Sequence, residues 1–150
     1  MLTSLAYLCL IENYLWFKEL GMYPKDGKIK PFSKDRDGFV LGDGGAGIVV
    51  ESLDSALKRK AHIYAEYLGG GFCLEGWKVA IPNITSDSYR IAMDSALKKA
   101  NVKKESIDLL VPHGVWPAIT DAYEAKAITD IFGKHFKRPF LSAVKPYIGH

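Results

Sequence analysis

The sequence predicts an α/β fold. Apolar residues recur at helical spacing in 86–100 and again in 120–132. Short β-prone runs at 62–68, 109–111 and 140–144 lie before, between and after these helical stretches. Strand-like and helical segments therefore alternate along the chain, which is the pattern of an α/β domain.

The elements follow in order. Residues 4–20 have helical character, with Leu5, Leu8, Ile11, Leu15 and Trp16 apolar and Gly21 as a stop. Residues 21–38 are rich in Pro, Gly, Lys and Asp and predict a loop. Residues 39–41 and 48–51 predict β structure joined by a glycine-rich bend, and 53–60 a short helix. Residues 62–68 alternate apolar and polar and predict a strand closed by Gly69-Gly70-Gly71. Residues 72–85 are irregular. The helix at 86–100 carries Tyr89, Met93, Ala96, Leu97 and Ala100 on one face, with Thr85 or Ser86 as its cap. A strand at 109–111 follows. Thr120 is expected to cap a helix that runs to 132 and stops at Gly133, and 140–144 is the last strand.

With 150 residues, 48% hydrophobic and 25% charged, the chain has the balance of a soluble globular protein. At this length a domain buries about two-thirds of its unfolded surface. A net charge of +3 is too small to imply nucleic acid. The two cysteines, Cys9 and Cys73, form no CxxC pair, disulfide framework or zinc spacing, so a reducing, cytoplasmic setting is expected. The apolar run 5–11 is ended by Glu12, too short to span a bilayer and without the basic start of a signal peptide.

Gly42-Asp43-Gly44-Gly45-Ala46-Gly47 satisfies the G-x-G-x-x-G pattern. A dinucleotide site needs a helix after those glycines, and Ile48-Val49-Val50 is β-prone instead, so close backbone approach within a sheet is the expectation. Asp35-Arg36-Asp37-Gly38 fails as a calcium loop, because its glycine comes at the fourth position rather than the sixth.

His113 and His150 each lie just beyond a predicted strand, beside Gly114 and Gly149. Ligands of open α/β sheets bind beyond strand C-termini, so two imidazoles at two such ends can converge on one site. Lys145 shares the end that carries His150. Asp121 and Glu124 fall in the first turn of the predicted helix, where the helix dipole alone also favours acids. His62 and His135 read as boundary or surface residues, and the histidines show no metal-ligand spacing. From residue types alone the result is an α/β domain whose function stays open.

Read together, several stretches carry more. Pro31-Phe32-Ser33-Lys34-Asp35-Arg36-Asp37-Gly38-Phe39, with the glycines to Gly47, resembles the PF-x-KDRDGF-x-x-GEGAG stretch of β-ketoacyl-acyl-carrier-protein synthases, KAS II-like condensing enzymes of the thiolase superfamily. His113-Gly114 through Asp121 and Glu124 resembles their H-G-T-x-T-x-x-x-D-x-x-E motif. Lys145-Pro146-Tyr147-Ile148-Gly149-His150 resembles their K-x-x-x-G-H motif. The resemblance implies a thiolase-like fold of five αβαβα layers, present in part, with residues 1–60 ending its N-terminal half and 61–150 beginning its C-terminal half. It implies a decarboxylating Claisen condensation between an acyl thioester and malonyl-carrier protein. On that map His113 and His150 donate hydrogen bonds to the enolate, Lys145 organises the charge beside Glu124, and Asp121 supports. The implied partners are acyl carrier protein and a second synthase-like chain, as a homodimer or a pair. No metal or organic cofactor is expected.

Two departures stand out. The family's nucleophilic cysteine lies before the PF-x-KDRDGF stretch, and Cys9, between Leu8 and Leu10, lacks its small-residue turn, so an interior piece without the nucleophile is expected. Val115 and Pro117 replace the two threonines of the first histidine motif. A non-catalytic partner subunit of the chain-length-factor type is therefore the alternative, and a thiolase of different chemistry a third.

Overall fold

The computed structural model describes residues 2–7, by their backbone, and 11–77, 83, 85–134, 137 and 139–150. Cys9 and His135 lie outside the described residues. Strand β1 (Leu2–Tyr7) pairs antiparallel with β2 (Gly44–Val49), in a register that sets Leu2 opposite Val49 and Tyr7 opposite Gly44. Helix α1 (Ile11–Glu19) lies between them in sequence. The expected single helix over 4–20 is thus a strand in its first part. The reason is tertiary: Thr3, Ser4 and Tyr7 tolerate extended backbone, and a partner strand satisfies their peptide groups, which outweighs a weak helical preference. The glycine run is likewise not a bend between two strands but the strand itself.

Residues 39–41 form no ladder, yet they are tied down. The Phe39 N–H bonds Met22 O at 3.1 Å, and Val40 O accepts from His150 N at 2.8 Å. Residues 61–76 also form no ladder, so the expected strand at 62–68 is absent, and Tyr64 and Tyr67 stand exposed. An alternating pattern becomes a strand only where a neighbour supplies hydrogen bonds, and no described residue supplies them here.

Helix α2 (Leu53–Lys58) starts at Ser52, whose hydroxyl accepts from Ser55 N at 3.3 Å, and it buries Ala56. Helix α3 (Ser88–Ala100) begins at Asp87 rather than at Thr85 or Ser86. The Thr85 hydroxyl instead bonds Asn83 Oδ1 at 2.7 Å, and that of Ser86 meets Tyr123 OH at 2.6 Å. Asn101, at φ 53°, closes α3 in the left-handed conformation, with Val102 N reaching back to Leu97 O.

The part that positions the candidate site is a βαβ unit. Strand β3 (Leu109–Leu110) runs parallel to β4 (Phe140–Leu141), and α4 (Ala118–Phe132) connects them. α4 is capped at Pro117, one turn earlier than the expected Thr120. Its inward face carries Tyr123, Ala127, Ile128 and Ile131, all buried, and α3 packs along it with Tyr89 edge-on to Tyr123 at 5.1 Å. Ser88 joins the two helices: its hydroxyl donates to Glu75 Oε1 at 2.6 Å, and its N–H bonds Tyr123 OH at 3.0 Å. A second core joins Ile29, Phe39 and Val115, with Phe17, Met22 and Trp116 against it. After β4 the chain does not extend to 144 as a strand but turns into the short helix α5 (Lys145–Ile148), which carries it to His150.

Candidate active site

The loop from β3 to α4 holds His113, and the first turns of α4 build its frame. Asp121 and Glu124 are almost wholly buried, at 1% and 3% exposure. An unpaired buried carboxylate would be costly, so each must be saturated. Glu124 accepts from His113 N at 2.7 Å and from Gly114 N at 2.9 Å. Asp121 Oδ1 accepts from Val115 N and Trp116 N, both at 3.2 Å. Four consecutive peptide N–H groups are thus held by two carboxylates one helical turn apart. Asp121 Oδ2 reaches further, to Phe32 N at 2.7 Å and to Arg36 Nε, an ion pair at 3.7 Å. Arg36 also donates to Ser33 O and, at 3.3 Å, to Ala118 O.

His150 arrives from the other strand end. Its N–H bonds Val40 O, and its carbonyl accepts from Gly42 N at 3.0 Å. The contact is too close for side chains. A Cβ on Gly42 would stand 2.4 Å from Ile148 O, and one on Gly149, itself at φ 79°, would stand 2.8 Å from Gly42 Cα. The first glycine of the misleading G-x-G-x-x-G pattern therefore serves to seat His150.

The rings of His113 and His150 meet edge to face, with centroids 5.7 Å apart. Phe39 packs against His150 at 5.7 Å, and Trp116 stacks on Phe39 at 6.4 Å. Lys145 Nζ donates to His113 O at 2.5 Å. It makes no direct ion pair with Glu124, because that carboxylate is occupied by the His113 and Gly114 amides. The two groups grip the same residue, one by its N–H and one by its carbonyl.

The electrostatics favour neutral imidazoles. Burial first, and then the Lys145 ammonium, lowers the pKa of His113 below its ordinary value. The same two causes act in that order on His150, with His113 adding to them. Lys145 is itself lowered by burial, against the pull of Glu124. Both histidines should titrate below about 6.5. Following the ring Cε1–H signals by NMR checks this, and Lys145→Met should raise both midpoints without restoring the ordinary value, since burial remains. The folded state holds these protons less tightly than the unfolded chain. Their contribution to stability is therefore complete above about pH 6.5 and is lost as pH falls through the folded values.

The structure thus gathers His113, His150, Lys145, Glu124 and Asp121 at one place. Cys73 is apart from them, on the irregular segment after Gly71, and His62 packs on Tyr64 at 4.5 Å. No group of three or more potential metal ligands occurs among the described residues. Sequence reasoning missed Arg36, Phe39 and Trp116 as parts of the site. The signal for Arg36 was present: a basic residue inside an acidic loop, close to the glycine run that seats His150.

Two family descriptions match the chain: "Beta-ketoacyl synthase, N-terminal domain" over residues 6–56 and "Beta-ketoacyl synthase, C-terminal domain" over residues 64–150. This chain belongs to the β-ketoacyl synthase family. It is 37% identical, over 121 residues, to 3-oxoacyl-[acyl-carrier-protein] synthase 2 of Coxiella burnetii, covering 81% of this chain and 29% of that relative. Among solved structures it resembles the ishigamide ketosynthase/chain length factor, at 37% identity and a TM-score of 0.88 over 99% of this chain and 36% of that one. It also resembles AntDE:AntF, a type II acyl-carrier protein in complex with its ketosynthase bound to the hexaketide, at 26% identity and a TM-score of 0.84 over 99% of this chain and 39% of that one. The fold of this β-ketoacyl synthase chain is thiolase-like, and the chain spans less than a third of the curated relative's length.

Proposed function

We propose that these residues supply the decarboxylating half of a β-ketoacyl-acyl-carrier-protein synthase. The observation that carries this is the His113–His150 pair, one beyond β3 and one after α5, with their rings together and their neutral forms favoured. When a malonyl thioester loses carbon dioxide, the electrons of the broken C–C bond pass to the thioester carbonyl, which becomes an enolate. Two imidazole N–H groups aimed at that oxygen stabilise the developing charge and stay neutral in doing so. The enolate carbon then attacks an acyl thioester carried on a cysteine outside these residues, and the cysteine leaves as thiolate. Lys145 holds the His113 loop through its carbonyl. Glu124 and Asp121 hold it through its amides, so these three act as positioning residues.

Acyl carrier protein is the partner this reading requires, and the carrier complex of the AntDE:AntF ketosynthase supports it. A homodimer, or a pair with a second synthase-like chain, fits the exposed apolar residues Ile48, Val49, Leu53 and Leu57. The division at residue 60 into two thiolase-like halves and a cytoplasmic setting belong to the same reading. No helix among the described residues is long and apolar enough to cross a membrane. The chain-length-factor alternative is favoured by Val115 and Pro117, which bring no hydroxyl to the loop, and opposed by the retained His113, Lys145 and His150.

Carbon dioxide release from malonyl-carrier protein, measured with the complete protein, tests the proposal. Release well above the buffer rate is expected; none would remove the catalytic reading in favour of the partner subunit.

A further inference from the structure

We propose that Trp116 is a substrate-binding residue whose indole N–H donates a hydrogen bond to a carbonyl oxygen of the bound ligand, on the thioester itself or on an amide of the arm that carries it. This rests on the reading of the two-histidine site as a thioester site.

Three observations carry it. First, Trp116 Nε1 is buried and has no hydrogen-bond partner among the described residues. Buried donors in native proteins are almost always satisfied, and an acceptor that arrives with a ligand accounts for one that is not. Second, the loop offers little else. The amides of His113, Gly114, Val115 and Trp116 are all committed to Glu124 and Asp121. Pro117 has no N–H, and the side chains of Gly114, Val115 and Pro117 hold no polar atom. From 114 to 117 the indole is the donor left for a ligand. Third, Trp116 sits at φ 124°, a conformation that favours glycine. Strained backbone of this kind persists where the surroundings enforce it and the side chain's placement is used. Here the Asp121 carboxylate enforces it by holding the Trp116 amide. The ring is placed on Phe39, which also meets the His150 imidazole, beside Phe17 and Tyr23. The indole therefore belongs to the same aromatic wall as the two histidines.

The test uses Trp116→Phe in the complete protein, which keeps an aromatic ring and removes the N–H. A purely structural tryptophan would lose stability on this change. A ligand donor that is orphaned in the free protein would lose only the packing of the smaller ring against Phe39. The expected result is a Tm lowered by no more than a few degrees, a KM for malonyl-pantetheine raised about five- to tenfold, as for one lost hydrogen bond, and a kcat within about twofold. In the unaltered protein, the Trp116 indole proton should move downfield in NMR as malonyl-pantetheine is added. A shift with pantetheine alone assigns the bond to an arm amide; a shift with malonyl-pantetheine only assigns it to the thioester. An unmoved indole signal with an unchanged KM overturns the proposal, as does a Tm lowered by several degrees with kcat and KM both impaired. If carbon dioxide release is absent throughout, the synthase reading fails on its own, and the indole signal still decides whether Trp116 binds the thioester.

Discussion

Replacing His113 by alanine in the complete synthase should lower decarboxylation of malonyl-carrier protein about 100- to 1000-fold, the usual effect of removing one donor to a developing oxyanion. The argument is local. What holds residue 113 is its backbone: the N–H on Glu124 and the carbonyl on Lys145 Nζ. The imidazole itself contacts the His150 ring. On the proposed reading, truncating the side chain removes the N–H offered to the enolate; it leaves the loop anchored, so Tm should change by only a few degrees. His150→Ala should act to a similar degree, and the double variant should fall well short of the product of the two, because both groups serve one oxygen. Rates of carbon dioxide release are the measurement. Equal rates for the parent and His113→Ala would remove the role given to that ring, whatever the fold.

How far this site could be read from sequence depends on which kind of residue is asked about. His113 and His150 were legible because each follows an apolar run and abuts a glycine; the structure places His113 beyond β3 and His150 after α5, with their rings together. The helices α2, α3 and α4 were legible because their apolar spacing is strong. Their starts were less so. α4 begins at Pro117 because Asp121 and Glu124, one turn in, face back into the loop and bond its amides, so no side-chain cap at Thr120 is needed. The strands were the least legible. Residues 2–7 became a strand, and 62–68 did not, for one reason: β structure is decided by the neighbour that completes the ladder, which lies far off in sequence. Arg36 and Trp116 were missed on the same ground. Arg36 meets Asp121 from 85 positions away, so its place in an acidic loop marked the residue without naming its partner, and the Trp116 ring gains its place from Phe39, with no local pattern to announce it.

Asp121 is where the largest loss of stability is expected. Its buried carboxylate takes three peptide N–H groups, from Val115, Trp116 and Phe32, and faces Arg36. Asp121→Ala strands all three donors and leaves a half-buried guanidinium without its counter-charge. Breaking one side of such a pair costs about 3–5 kcal/mol, and each stranded amide adds to the same penalty rather than standing apart from it. Urea unfolding of the complete protein should show a loss of about that size. Asp121→Asn should recover little. Its amide oxygen can serve Val115 and Trp116, but its NH2 then points at Phe32 N–H and Arg36, donor against donor. Glu124→Gln is the informative contrast: it spares the link to the 31–38 loop and strikes only the His113 and Gly114 amides. It should therefore cost less in stability than Asp121→Asn yet more in decarboxylation, because it loosens the residue that carries the ring. A cost below about 1 kcal/mol for Asp121→Ala, that of an ordinary surface hydrogen bond, would mean that residues 115 and 116 are held by something other than the Asp121 carboxylate.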